Sequence, residues 1–452
     1  SAHEGAALRQ RVEALPAFLA AGRARLAGAA SPVDWVERAR LEAQALTRLL
    51  ERGLPLHALA GSVTPETLAA ASTALTSFVA ALRPTEEANP AAPHGYLDFL
   101  FAEVHQLPLS VTEAEELAVE GFERAKAALE AKARAAGSAE PWQAQLAGLE
   151  KSHPPLSGVV ATYADMHDEA LAQAERAGLV TPALEYGLRF AHLPEWARGV
   201  AHDLYFLFYR SPAAQSPGTA SQYWVFPPGP DIDAYLRSQS YATIKSTHAV
   251  HHGSIGHHTQ NARARESAVT LGRLAGTDCA SGIAMLSGGT LIEGWACYSQ
   301  ELLLEANGFY TPAEELLLAH AELRNTAMCL ADIRLHTGAW DLARMRAFYE
   351  DEVGIAPGRA WTETTRNSMW PSTRAMYWLG TRAIRQFRRE LGGEPRRFHD
   401  DLLSFGSVPV HRVGEELLRA KERACPGSVA STPSCRRRSR MTAHSTCPAS
   451  RP

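Results

Sequence analysis

The chain has 452 residues, 46% of them hydrophobic and 21% charged, with 45 Lys and Arg against 49 Asp and Glu. That composition excludes a wholly disordered chain, a fibrous repeat and a small disulfide scaffold. A net charge of -4 offers no polyanion-binding surface, so nucleic acid is not an expected partner.

The start, SAHEGAALRQ, has neither an initiator Met nor an apolar leader core. A processed or trimmed chain is therefore expected. Further along, Thr64-Pro65 opens a helix, with proline suited to the first helical position. Ser110 and Glu113 form a capping box ahead of a long Ala-, Glu-, Leu- and Lys-rich run that reaches about Gly137. Residues 1–190 thus predict a layer of amphipathic helices. The Pro-, Gly- and Ser-rich stretch around 212–230, with Tyr223, Trp224, Val225 and Phe226, predicts an extended loop or a short strand pair.

Helical pattern resumes near Asp231 and continues to Ala424, with a second capping box at Thr311 and Glu314. Residues 191–424 form the second expected region, packed with the first in one compact unit. Residues 425–452 predict a disordered basic tail, with five arginines and no acid. The fold class expected is mainly α, many helices with an active cleft between them.

Six cysteines form no CxxC pair, and Cys279, Cys297 and Cys329 sit in apolar helical stretches, where reduced core thiols are expected. A cytoplasmic setting is expected from these thiols, with export after removal of a leader as the alternative. No stretch of about eighteen apolar residues is present, so no membrane span is expected.

Five of the 18 histidines fall between His248 and His258, in THAVHHGSIGHHTQN. Neutral imidazole is the commonest metal ligand, and a catalytic zinc needs three protein donors and an open position. On a straight helix His248 shares a face with His252, and His251 with His258. A carboxylate donor is available in Glu293, a lone acid in the apolar helical stretch GGTLIEGWACY, where burial is costly unless a metal or partner neutralises it. The alternatives are a surface histidine patch and a hydrogen-bonded polar network. Asp278 is expected to cap a helix, with support of a ligand histidine as the alternative. Tyr298 is expected in the core. Trp224 and Phe226 fit either core packing or a cleft wall.

His251 to Gln260, HHGSIGHHTQ, resembles the signature HEGxPGHHLQ of a bacterial family, domain of unknown function family 885. Three further ordered elements resemble the same family. They are EGWACY (Glu293 to Tyr298), Asp332-Ile333-Arg334-Leu335-His336-Thr337-Gly338, and Pro371 to Gly380 with Tyr377. Members of the family look like zincin metallopeptidases. The resemblance implies His251, His257 and Glu293 as metal ligands, with His258 as the alternate. It implies that Asp332 and His336 line the cleft and that Arg374 and Tyr377 contact a substrate carboxylate or an oxyanion.

Two positions depart from the pattern. Ile255 replaces a proline, and His252 replaces the glutamate that serves zincins as general base toward the attacking water. Three outcomes follow. His252 acts as the base, or it becomes a further ligand in a His-rich site suited to iron, manganese or copper, or hydrolysis is lost and binding remains. The expected function is zinc-dependent hydrolysis of a peptide or small amide, with His252 handling the proton and Tyr377 the oxyanion. The alternatives are a non-hydrolytic metalloenzyme and an inactive peptide- or metal-binding homologue.

Overall fold

A computed structural model of the chain describes residues 2–136, 138–204, 209–212, 218, 220–275 and 288–424. The tail 425–452, Asp278 and Cys279 lie outside the described residues.

The molecule is built almost entirely from helices. In the N-terminal part α1 (Ala2–Arg25), α2 (Val33–Arg48) and α3 (Pro65–Ala81) pack around a core that includes Val12, Leu75 and, in the turns that follow α2, Leu50 and Leu54. Thr64 caps α3 by accepting the Thr67 N–H. The helix α4 (Val111–Ala135) begins at the Ser110 capping box, where hydroxyl and Glu113 carboxylate satisfy each other's backbone N–H groups. Then follows α5 (Val159–Arg176).

A three-stranded sheet interrupts the helices. β1 (Gly187–His192) runs parallel to β3 (Ala220–Val225), and β2 (Tyr209–Arg210) pairs antiparallel with the other edge of β3. The 212–230 stretch thus supplies one strand, and its partner β1 lies at the end of the region read as purely helical. Tyr223 and Val225 of β3 bury against Tyr163 of α5, while Trp224 enters a core with Ala45, Leu193 and Ala197.

Beyond the sheet, α6 (241–252) and α7 (254–266) contain mostly π-helical turns up to His258 and carry the histidine cluster. The C-terminal bundle comprises α8 (Gly289–Leu302), α9 (Pro312–His336), α10 (Leu342–Asp351), α11 (Pro357–Met369), α12 (Ala375–Leu391), α13 (Pro395–Ser404) and α14 (Val410–Ala424). α9 starts at the Thr311–Glu314 capping box.

Helix α12 is shared by two apolar cores. Trp378 and Leu379 pack with α4 and α9, whereas Ile384 and Phe387 pack with α8, α13 and α14. Where α8 crosses α12, Gly294 and Gly380 bring the two backbones into contact. A Cβ on Gly380 would stand 2.0 Å from the Thr290 carbonyl oxygen, so only glycine permits this crossing. No described helix is long and apolar enough to cross a membrane. Cys297 and Cys329 form no disulfide.

Candidate metal centre

The histidine segment folds as it does because of two glycines. The chain leaves helical geometry at Gly253 (φ -97°, ψ -146°) and at Gly256 (φ -76°, ψ -127°). A Cβ on Gly256 would lie 2.0 Å from the His251 carbonyl oxygen and 2.3 Å from that of Val250. The backbone therefore folds directly back onto the preceding turn. Three side chains hold the bend. Ser254 donates its N–H to His167 Nδ1 (2.8 Å), Thr259 donates its hydroxyl to the Ser254 carbonyl (2.7 Å), and Trp295 of α8 donates its indole N–H to the Ile255 carbonyl (2.8 Å). Trp295 thereby ties the bend to the helix that carries Glu293.

This break decides which histidines meet. Donor atoms of His251, His257 and Glu293 all lie within 4.8 Å of one another. Glu293 Oε2 is 3.5 Å from His257 Nε2 and 4.0 Å from His251 Nε2. Tetrahedral zinc, with ligands at 2.0–2.2 Å, sets its donors about 3.4 Å apart. The three residues therefore fit such an ion after small side-chain adjustments. The remaining ring nitrogen of His251 is also held. Gln300 Oε1 lies 3.3 Å from His251 Nδ1, and Gln300 in turn donates to the Ser246 carbonyl (3.0 Å). That bond fixes the tautomer that leaves Nε2 facing Glu293.

Electrostatics suit a cation. Burial, followed by the neighbouring His252 and His257, pushes His251 well below its ordinary pKa, so its ring is neutral and ligand-competent. Burial works against the Glu293 carboxylate. His257, His252 and a hydrogen bond donated by Tyr377 outweigh it and hold the group below its usual range. Tyr377 thus touches the cluster directly.

His252 stands beside these donors without joining them. Its ring lies 4.8 Å from that of His251 and 5.8 Å from that of His257, centroid to centroid. Nδ1 lies 2.9 Å from the Thr247 carbonyl and donates to it, which leaves Nε2 as a proton acceptor. Burial first, then His257, pushes its pKa down to about 4.

Other candidates lie elsewhere. His258 is outside the cluster: Nε2 is 2.7 Å from the Tyr186 carbonyl and Nδ1 3.2 Å from the Tyr209 hydroxyl. A straight helix would have paired it with His251, and the glycine break prevents that. His248 is bonded to the Tyr223 hydroxyl (2.6 Å) and stacks on Tyr163.

Asp332 does structural work at the start of α12, accepting the N–H groups of Ser372 (3.1 Å), Arg374 (2.9 Å) and Ala375 (3.0 Å). His336 bridges a loop and the end of α11, accepting the Ala92 N–H at Nδ1 (3.0 Å) and donating from Nε2 to the Asn367 carbonyl (3.0 Å). Arg374 is buried and ion-paired with Glu363, and its guanidinium also faces the Tyr377 ring. Tyr298 is buried and bonded to His399 (2.9 Å).

Sequence reasoning missed Gln300, whose amide side chain carries no signal of its own. Its position seven residues after Glu293, on the same helical face, was the available clue. A cavity of about 310 Å³ is lined by Gln300, Cys297, Asn325, Glu301, Glu322 and Arg385 among others, and by none of the three donors.

Fold and site together define a multi-helical protein with a buried His–His–Glu cluster set between a bent histidine segment and the helix α8. The chain belongs to the family described as bacterial protein of unknown function (DUF885), which matches residues 1–417. Two solved structures share its fold, both described as lipoproteins. One, from Shewanella oneidensis and of unknown function, has a TM-score of 0.69 at 19% identity, over 91% of this chain and 77% of its own. The other, from Colwellia psychrerythraea, has a TM-score of 0.64 at 19% identity, over 81% of this chain and 62% of its own. No curated protein matches the chain.

Proposed function

We propose that the protein is a zincin-like, metal-dependent hydrolase of peptides or small amides, with His251, His257 and Glu293 as metal ligands. The observation that carries this reading is the convergence of two imidazoles and one carboxylate within 4.8 Å, buried and oriented by Gln300 and Tyr377. Two histidines and a glutamate are a common donor set of catalytic zinc, and they leave a coordination position open. A metal held there would supply Lewis acidity to a substrate carbonyl and activate water.

The chain's own groups would do the rest. His252 Nε2, unprotonated at neutral pH, accepts a proton in place of the glutamate of the family signature. Tyr377, already donating beside Glu293, turns to the developing oxyanion.

One observation favours a second reading. The His252 ring lies close enough to His251 and His257 to become a further ligand after rotation, which would suit iron, manganese or copper in a non-hydrolytic site. Elemental mass spectrometry of the purified protein beside His251→Ala and Glu293→Ala separates the readings. Roughly one zinc per chain, lost in both variants, supports the hydrolase; stoichiometric iron or copper supports the second reading. Metal content unchanged by either substitution removes the site. An unreacted peptide library with zinc bound leaves an inactive binding homologue. On localisation, the lipoprotein names of the two solved neighbours favour the exported alternative over the cytoplasmic one.

A further inference from the structure

His248 stands outside the donor cluster, yet it touches the histidine that replaces the signature glutamate. His248 and His252 are four residues apart and share a helical face, as their spacing implies. Their rings stack, with centroids 6.0 Å apart and planes inclined by only 20°. His248 also stacks on the Tyr163 ring of α5, at 5.0 Å and 28°. Tyr163 is itself held, donating its hydroxyl to Gln239 Oε1 (2.6 Å). His252 is thus the end of a short ladder of rings that starts on α5.

The ladder is anchored to the sheet. The Tyr223 hydroxyl is bonded to His248 Nδ1 (2.6 Å), and the Tyr223 ring meets that of His252 at a steep angle, 6.1 Å between centroids. Tyr223 is fully buried in the central strand β3, paired with Phe190 of β1 on one side and Tyr209 of β2 on the other. Strand pairing therefore fixes Tyr223, and Tyr223 fixes His248. The bond from His252 Nδ1 to the Thr247 carbonyl sets the tautomer of that ring but leaves it free to pivot about the bond. Contact with two anchored rings removes that freedom. A base must keep its acceptor atom within hydrogen-bond reach of the proton it takes, and a misplacement of about 1 Å can cost about 10²-fold in rate.

We propose that His248 and Tyr223 are positioning residues for His252, holding its ring beside His251 and His257 so that Nε2 is presented as the proton acceptor of the centre. The proposal rests on the hydrolase reading in which His252 is the base. Both residues act through the His252 ring, so the three-stranded sheet takes part in the chemistry without supplying a donor to the metal.

Two readouts test it. The first needs neither metal nor substrate: nitrogen NMR of chelator-treated protein with ¹⁵N-labelled histidine, in which the His252 ring is identified by its absence from His252→Ala. Wild type should show a proton held on His252 Nδ1. His248→Ala should lose or broaden that signal, and His248→Phe, which keeps a stacking ring, should retain it. The second is the kinetics of zinc-reconstituted protein on the fastest-cleaved member of an N-acetylated tetrapeptide library. His248→Ala should lower kcat about 10²-fold, with KM little changed and no loss of zinc affinity. His248→Phe and Tyr223→Phe delete the same hydrogen bond and keep the stack. They should lose similar amounts, less than His248→Ala, and the double variant should lose no more than either.

A His252 signal as sharp in His248→Ala as in wild type overturns the proposal. So does a fall of zinc affinity in step with kcat, which would place His248 behind the metal ligands instead of behind His252. A disturbed His252 signal with hydrolysis unchanged would remove His252 as the base and leave its positioning standing. Absence of hydrolysis by wild type would remove the hydrolase reading, and the NMR comparison would still decide the positioning. Thermal melting shows whether the variants fold; should His248→Ala melt early, the matched pair His248→Phe and Tyr223→Phe carries the test, and unequal losses in the two overturn the proposal.

Discussion

Gly294 and Gly380 touch backbone to backbone: a Cβ on Gly294 would stand 2.6 Å from the carbonyl carbon of Gly380. Each glycine belongs to a short sequence element, EGWACY or the stretch Pro371 to Gly380. Their contact sets Glu293, one residue before the first, beside Tyr377, three residues before the second. The Thr381 hydroxyl, donating to the Gly294 carbonyl (3.1 Å), pins the same crossing.

Gly294→Ala should therefore push α8 off α12. No flexible side-chain end can yield there, since the obstructing atoms are backbone, so a loss of about 3 kcal/mol or more is expected, at the upper end for overpacking. Chemical denaturation measures it. A variant as stable as wild type would show that the helices slide apart without cost.

His251 and Glu293, proposed as metal ligands, each lean on one neighbour. Gln300→Leu removes the acceptor that orients His251, and Tyr377→Phe removes the hydroxyl that donates to Glu293. Each should weaken zinc binding by about 10- to 100-fold, as loss of such supporting bonds does elsewhere. Chelator-competition titration reads the constants. Unchanged affinity in both variants would mean that packing alone positions the donors.

Some of this architecture was legible in the chain and some was not, for physical reasons. The capping boxes at Ser110 and Thr311 are local chemistry, three residues long, and both helices start where they should. β1 escaped notice because GLRFAH has no clean alternation and its partner β3 is far away in sequence, so only the tertiary pairing makes it a strand. In the histidine segment the composition announced a cluster, while spacing on an ideal helix paired His251 with His258. The close approach at Gly256 redirects the chain to His257, and nothing in helical periodicity encodes it.

Asp332 and His336 read as cleft residues by resemblance. Their side chains are spent on the start of α12, on the loop at Ala92 and on the end of α11 at Asn367.

Stability should depend on acid through histidines remote from the cluster. His105 is buried with Nε2 2.8 Å from the Ser372 hydroxyl, and burial pushes its pKa down to about 4. An unfolded histidine titrates near 6.5, so between pH 6.5 and 4 the unfolded chain binds the extra proton. The contribution is complete above pH 6.5 and is lost as pH falls toward 4, at up to about 1.4 kcal/mol per pH unit. His105→Gln, which keeps a partner for Ser372, should flatten the fall of Tm over that window in chelator-treated protein. Parallel curves for variant and wild type would exclude His105 as a source of the acid sensitivity.

His252 is one of the two positions at which the histidine segment departs from the signature it resembles. His252 donates from Nδ1 to the Thr247 carbonyl and keeps Nε2 as an acceptor near His257, outside the donor set. Should it act as the base, His252→Ala would retain the metal and lose about 10²- to 10⁴-fold in kcat, the usual worth of a positioned base. Should it act as a ligand, the same substitution would lower metal content or affinity instead. His252→Glu separates the cases further, since a carboxylate restores the signature base and should sustain hydrolysis of the same peptides. Metal content and single-turnover rates on the same preparations decide it. If His252→Ala keeps both its metal and its rate, the proton is handled by another group and the assignment of His252 falls.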